Sequence, residues 1–191
     1  MLVQVALVAL AAVVGYAVGM LNPAATIARI RGTDLRSVGS GNPGATNAGR
    51  AFGWKVGVLV GILDILKGYL PVIAFEALGL HVPALVAGLA AVVGHITSPL
   101  LRGRGGKGVA TSFGAILAVQ PVWAIPVLAV FALVWAITRR IGLASVAGCL
   151  TLVPAAVLFH DPTSDIVFAA LLTLLVVVRH RSNLASALTR R

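Results

Sequence analysis

The chain has 191 residues, of which 59% are hydrophobic and only 10% charged, and it carries a formal net charge of +10. A soluble domain of this length covers itself with more polar side chains, so a mean hydropathy of +1.02 excludes that class and points to an integral membrane protein. The positive charge does not indicate a nucleic-acid binder, because the basic residues sit in short clusters between apolar runs, as cytoplasmic loops facing anionic headgroups do.

The first apolar run covers about 2–22, with no basic residue before it and Arg29, Arg31 and Arg36 after it. A cleavable signal peptide opens with basic residues, so this run reads as a retained span with its N-terminus outside. Gly39–Arg50 follows, without one large apolar side chain. Gly39, Gly41, Gly44 and Gly49 let the backbone turn tightly, and Ser40, Asn42, Thr46, Asn47 and Arg50 offer hydrogen-bonding groups. That combination is expected of an anion-binding surface.

Further apolar segments lie at about 56–78, 83–97, 109–120, 121–138, 141–159 and 164–179. Of the 15 Lys and Arg, all but Lys67 fall in clusters at 29–55, 102–107, 139–140 and 179–191. The positive-inside rule then predicts about seven transmembrane helices in one all-α domain, 1–191, with the C-terminus cytoplasmic. Spanning takes about 20 helical residues, so 83–97 and 109–120 are expected to be short and to hold the loop 98–108 between them. Pro121 and Pro126 predict a break or kink before the next helix.

Three more polar patches accompany the opening one. Asp64 and Lys67 stand three apart inside an apolar run and share a helical face. Either they neutralise one another and orient nearby loops, or they touch substrate. Gly103–Ser112 places Lys107 among Gly105, Gly106 and Gly108, just before Thr111, at a helix start. Backbone N–H groups there form a natural phosphate cradle, although the spacing is not that of a nucleotide P-loop. His95 precedes it. Arg179-His-Arg-Ser-Asn183 closes the last helix, with His180 and Asn183 three apart and expected on one face.

Several chemistries are missing from the pattern. No Gly-x-Ser-x-Gly elbow is present, and no metal-ligand spacing is found. Cys149, the only cysteine, reads as a buried structural thiol. An enzyme built from these residues needs a substrate with a good leaving group and no cofactor.

Ser40-Gly-Asn-Pro-Gly-Ala-Thr-Asn-Ala-Gly-Arg50, Asp64-Ile-Leu-Lys-Gly68, Gly94-His95 with Gly105-Gly-Lys-Gly-Val-Ala-Thr111, and His180-Arg-Ser-Asn183 resemble the bacterial acyl-phosphate:glycerol-3-phosphate acyltransferases of the PlsY type. The likeness covers nearly the whole chain in order. It implies transfer of an acyl group from acyl phosphate to the 1-hydroxyl of glycerol 3-phosphate at the cytoplasmic face of the bacterial plasma membrane. By that resemblance Ser40, Arg50, Lys107, His180 and Asn183 line a phosphate-binding hole. Gly41, Asn42, Gly44, Thr46, Asn47, Gly105, Gly106, Gly108 and Thr111 add binding groups, and Asp64, Lys67 and His95 support them. The partners implied are glycerol 3-phosphate, acyl phosphate, membrane lipids and the enzyme that makes acyl phosphate. Two differences stand out: Pro99 sits one place later than the family pattern, and the residues after Asn183 are not Gly-Thr-Glu-like. A transporter of a phosphorylated metabolite is the alternative class, which the absence of a paired repeat disfavours.

Overall fold

The computed structural model describes residues 1–189, so Arg190 and Arg191 of the last basic cluster lie outside the described residues. Among these the protein is all helical, without a strand, and forms two compact units, Met1–Ala118 and Val119 onward.

The first unit contains α1 (Leu2–Gly19), α2 (Pro23–Ile30), α3 (Ala45–Phe52), α4 (Trp54–Glu76), α5 (His81–Thr97) and α6 (Val109–Val119, whose last residue crosses the unit boundary). The second contains α7 (Ala124–Thr138), α8 (Ile141–Cys149), α9 (Leu152–Leu158), α10 (Thr163–Arg179) and α11 (Arg181–Thr189). Every apolar segment expected from the sequence is helical. Among the described residues five stretches are long and apolar enough to cross a membrane, namely Leu2–Ile30, Trp54–Glu76, His81–Leu101, Pro121–Thr138 and Ile141–Leu158.

Two expectations need correcting. The segment at 83–97 is not short: α5 starts at His81 and a 3-10 turn, Pro99–Leu101, extends the stretch to 21 residues. Only α6, with 11 residues, stays well below spanning length. The segment at 141–159 is two helices, broken at Leu150–Thr151. Pro121 does mark a break, opening a 3-10 turn between α6 and α7.

Small residues position the first unit. A Cβ on Gly15 or Gly19 of α1 would land on the Ala87 or Ala91 carbonyl of α5, so only glycine permits this separation. Large apolar side chains on the rest of α1, among them Leu2, Val5, Leu10 and Val13, are exposed. This division between small residues at contacts and large ones outside is how helices pack when lipid supplies no hydrophobic drive. α1 ends in a corner at Met20–Asn22, where Asn22 caps α2 by accepting from Ala25 N–H at 2.8 Å and Pro23 takes the first helical position.

In the second unit, Asp161 ties the α9–α10 loop to the residues before α7. Its two carboxylate oxygens accept from Trp123 Nε1 at 2.9 Å and Gln120 Nε2 at 3.1 Å. Cys149 is buried, and its carbonyl accepts from Thr173 Oγ1 at 3.0 Å.

Candidate functional site

The segment before α3 is built around Asn47, which is 1% exposed. Its Oδ1 accepts from Ser40 N–H at 3.1 Å, and its Nδ2 donates to the Leu35 and Val38 carbonyls, each at 2.9 Å. A second amide anchors the far end, Asn22 Nδ2 donating to Pro43 O at 3.0 Å. The loop also turns on itself, with Gly41 N–H bonded to Val38 O and Gly44 N–H to Asn42 O. What it leaves exposed are Ser40, Thr46 and Arg50. Gly39 has φ +56, and a Cβ there would lie 2.5 Å from Asn47 Oδ1 and 3.8 Å from Arg50 Cδ. The Arg50 stem therefore runs past the backbone next to Ser40.

The second group lies on α4, α5 and the loop that follows α5. Asp64 and Lys67, one helical turn apart on α4, form a buried ion pair at 2.9 Å. Lys67 Nζ also donates to Leu21 O at 2.7 Å and to His95 Nδ1 of α5 at 2.6 Å. The ammonium is thereby committed to protein groups, two by hydrogen bonds and one by charge, which favours the orienting reading of this pair. His95 is 4% exposed. The loop folds back on α5: Gly105 N–H bonds to Ile96 O, Gly106 N–H to His95 O and Gly103 N–H to Ser98 O. Ser98 Oγ donates in turn to Met20 O at 2.6 Å. The corner Met20–Asn22 thus touches all three polar segments of the unit, a role sequence reasoning missed. Asn22 before Pro23 was a readable cap signal, but its long-range bond was not.

Lys107 stands partly exposed at the end of this loop, ahead of α6. Thr111 and Ser112, on the first turn of α6, are buried, and their hydroxyls have no hydrogen-bond partner among the described residues. An unsatisfied buried hydroxyl costs about 1–3 kcal/mol, so two on one helix start mark a place suited to a polar ligand.

Several expected binding groups have other employment. Asn47 has both N–H groups committed to backbone carbonyls and supports the loop instead of offering donors to phosphate. The N–H groups of Gly41, Gly44, Gly105 and Gly106 are likewise spent on protein carbonyls. Gly105 and Gly106 are glycine because a Cβ would land on the His95 carbonyl and the His95 ring, respectively. Gly108, at φ +81, occupies backbone space that favours glycine, close to the Val92 and Ile96 side chains. Asn42 stays half-buried, with its Nδ2 close over Gly44.

A cavity of about 590 Å³ opens behind the first loop, lined by Asn22, Arg29, Asp34, Arg36, Pro43 and Arg104 among others, and by none of Ser40, Arg50 or Lys107. On its rim the exposed Arg36 pairs with Asp34 at 3.0 Å, and the hydrogen bond from Arg36 holds the Asp34 carboxyl below the usual carboxylate range. Arg31 lies over the Phe52 ring, 5.1 Å from its centroid.

In the second unit, α10 ends at Arg179 with His180 as its cap, and the His180 carbonyl accepts from Leu184 N–H, so the chain turns directly into α11, which carries Asn183. His180 is 2% exposed, and Nδ1 donates to Val176 O at 2.8 Å. That bond fixes the tautomer and leaves the lone pair of the neutral ring on Nε2. Asn183 packs over Gly142 of α8, where a Cβ would meet its Nδ2 at 2.8 Å.

Residues 9–190 match the family model described as glycerol-3-phosphate acyltransferase. The chain is 43% identical over 178 residues to glycerol-3-phosphate acyltransferase 1 of Deinococcus radiodurans, covering 92% of this chain and 89% of that one. It is also similar to the crystal structure of PlsY (YgiH), an integral membrane glycerol 3-phosphate acyltransferase, in its glycerol 3-phosphate form. There the TM-score is 0.90 and the identity 34%, with 95% of this chain and 92% of that one covered. The lysophosphatidic acid form of the same protein gives a TM-score of 0.88 at 32% identity over the same shares.

Proposed function

The chain belongs to the glycerol-3-phosphate acyltransferase family, and from that premise we propose that it moves a fatty acyl group from acyl phosphate to the 1-hydroxyl of glycerol 3-phosphate. The products are 1-acyl-glycerol 3-phosphate and inorganic phosphate. The observation that carries this reading is the loop before α3: Asn47 and Asn22 hold it by buried amide bonds, while Ser40 and Arg50 remain exposed.

Acyl phosphate is a mixed anhydride, already activated. The hydroxyl oxygen attacks the acyl carbonyl, the carbonyl pair moves onto oxygen, and its return expels phosphate. The departing phosphate takes the hydroxyl proton. Little remains for the protein beyond orientation and stabilisation of negative charge. Arg50 grips a phosphate with its planar fork, Ser40 offers a hydroxyl beside it, and Lys107 supplies a second positive charge at the start of α6. Thr111 adds a buried hydroxyl there. For the second unit we assign His180 and Asn183 by the sequence resemblance alone.

The same reading places the chemistry at the cytoplasmic face of the bacterial plasma membrane, with acyl phosphate supplied by the enzyme that makes it. The glycerol 3-phosphate and lysophosphatidic acid forms of the related PlsY support the substrate and product assigned. Purified protein given acyl phosphate and labelled glycerol 3-phosphate is expected to release labelled lysophosphatidate. Absence of that product, with uptake of glycerol 3-phosphate into proteoliposomes, would establish the transporter instead.

A further inference from the structure

Lys67 is a donor-only group: its ammonium donates to Leu21 O and contacts His95 Nδ1 at hydrogen-bond distance, and its charge is paired with Asp64 Oδ1. Because the ammonium can only donate, His95 Nδ1 must accept, and the ring proton resides on Nε2. That edge of the ring stands against Gly106, whose missing Cβ would fall on Nε2. The His95 carbonyl meanwhile takes the Gly106 N–H. One residue therefore contacts the loop twice, by backbone and by ring, immediately before Lys107.

The base of this stack is also fixed. Leu21 O belongs to the corner between α1 and α2, and the adjoining Met20 O receives Ser98 Oγ from the same loop. The loop is tethered at Ser98 and Gly103 on one side and at Gly105 and Gly106 on the other. Lateral movement of Gly106 toward α5 is blocked by the imidazole, and movement of the imidazole toward α4 is blocked by the Lys67 ammonium.

We propose that Asp64, Lys67 and His95 form a pedestal whose ring edge sets the height of Gly106 and thereby positions Lys107 for a substrate phosphate. All three are positioning residues that do not themselves touch substrate. The inference rests on the reading of Lys107 as a phosphate-binding residue.

The informative variant is His95→Asn. Its amide oxygen stands close to where Nδ1 was, so the buried ammonium keeps an acceptor, while the ring edge beneath Gly106 is gone. The steric half of the proposal needs no substrate. Gly106→Ala is expected to lower Tm strongly in the native background and by less than half as much beside His95→Asn, since contacting residues couple and distant ones add. Equal Tm penalties in the two backgrounds overturn the pedestal.

The functional half is read from KM. His95→Asn is expected to raise KM for glycerol 3-phosphate about tenfold with kcat changed less, and with KM for acyl phosphate within about twofold, as loss of positioned phosphate binding requires. Lys107→Ala is then expected to add little to that KM, because both changes remove one interaction. Full additivity of His95→Asn and Lys107→Ala overturns the positioning role. Should the native protein turn over no substrate, the proposed reaction fails while the Tm comparison still decides the pedestal.

Discussion

The two glycine-rich segments of the first unit, Gly39–Arg50 and Gly103–Ser112, look alike as sequence and are built differently. The first is held locally: Asn47 of α3 reaches back over nine residues to Val38 and seven to Ser40. The second is held by neighbours remote in sequence, with α5 carbonyls on its glycines and Lys67 of α4 under His95. In both, backbone N–H groups expected to face a ligand instead face protein. The glycines permit protein to approach protein, and the ligand is left to side chains and to the start of α6.

That contrast can be broken experimentally, beginning with the largest effect. Arg50→Ala should lower kcat/KM about 10³-fold while the protein stays folded, as removal of a charged group that stabilises a transition state does. Near-normal turnover would show that the first loop does not grip phosphate. Asn47→Ala removes three bonds from a buried amide and leaves the Ser40 N–H without its acceptor, while the Leu35 and Val38 carbonyls keep only their backbone donors, Val38 N–H and Gly41 N–H. It should cost about 2–4 kcal/mol of stability, read as a fall in denaturation midpoint, and reduce activity through Ser40.

A pair of glycine variants sharpens the comparison. Gly39 and Gly103 both have positive φ, but a Cβ meets Asn47 Oδ1 at Gly39 and nothing within 4 Å at Gly103. Gly103→Ala should cost only the left-handed conformation, about 1–2 kcal/mol. Gly39→Ala should cost more, because it also displaces the amide that holds Ser40. Similar Tm values for both would mean that the Asn47 tether is dispensable. The smallest effect belongs to Asp34. Its folded-state pKa is depressed, so any stabilisation is present at neutral pH and fades as pH falls through the lowered value. Because the pair is exposed, Asp34→Asn should move Tm at pH 7 by no more than about a degree.

The long apolar helices were legible because spanning length and hydropathy are properties of the sequence itself. The short α2 and α3 were not, since one buried alanine face on eight residues is too little pattern to register. Asp64 and Lys67 could be paired from their spacing, as neighbours on one helical turn. His95 could not be added to them, because its 28-residue separation from Lys67 is closed only by packing of α4 on α5. Asn47 was visible as an amide, but whether an amide serves ligand or backbone depends on which carbonyls surround it. Sequence does not display them.

The α1–α2 corner has a consequence for cooperativity. Its carbonyls and amide meet partners 46, 78 and 21 residues away, so its polar atoms are satisfied only when three separate segments have packed onto it. An unpaired ammonium in hydrocarbon is costly, and two of the groups around Lys67, Leu21 O and His95 Nδ1, come to it only through packing. Asp64, one turn earlier on the same helix, is the partner α4 carries within itself.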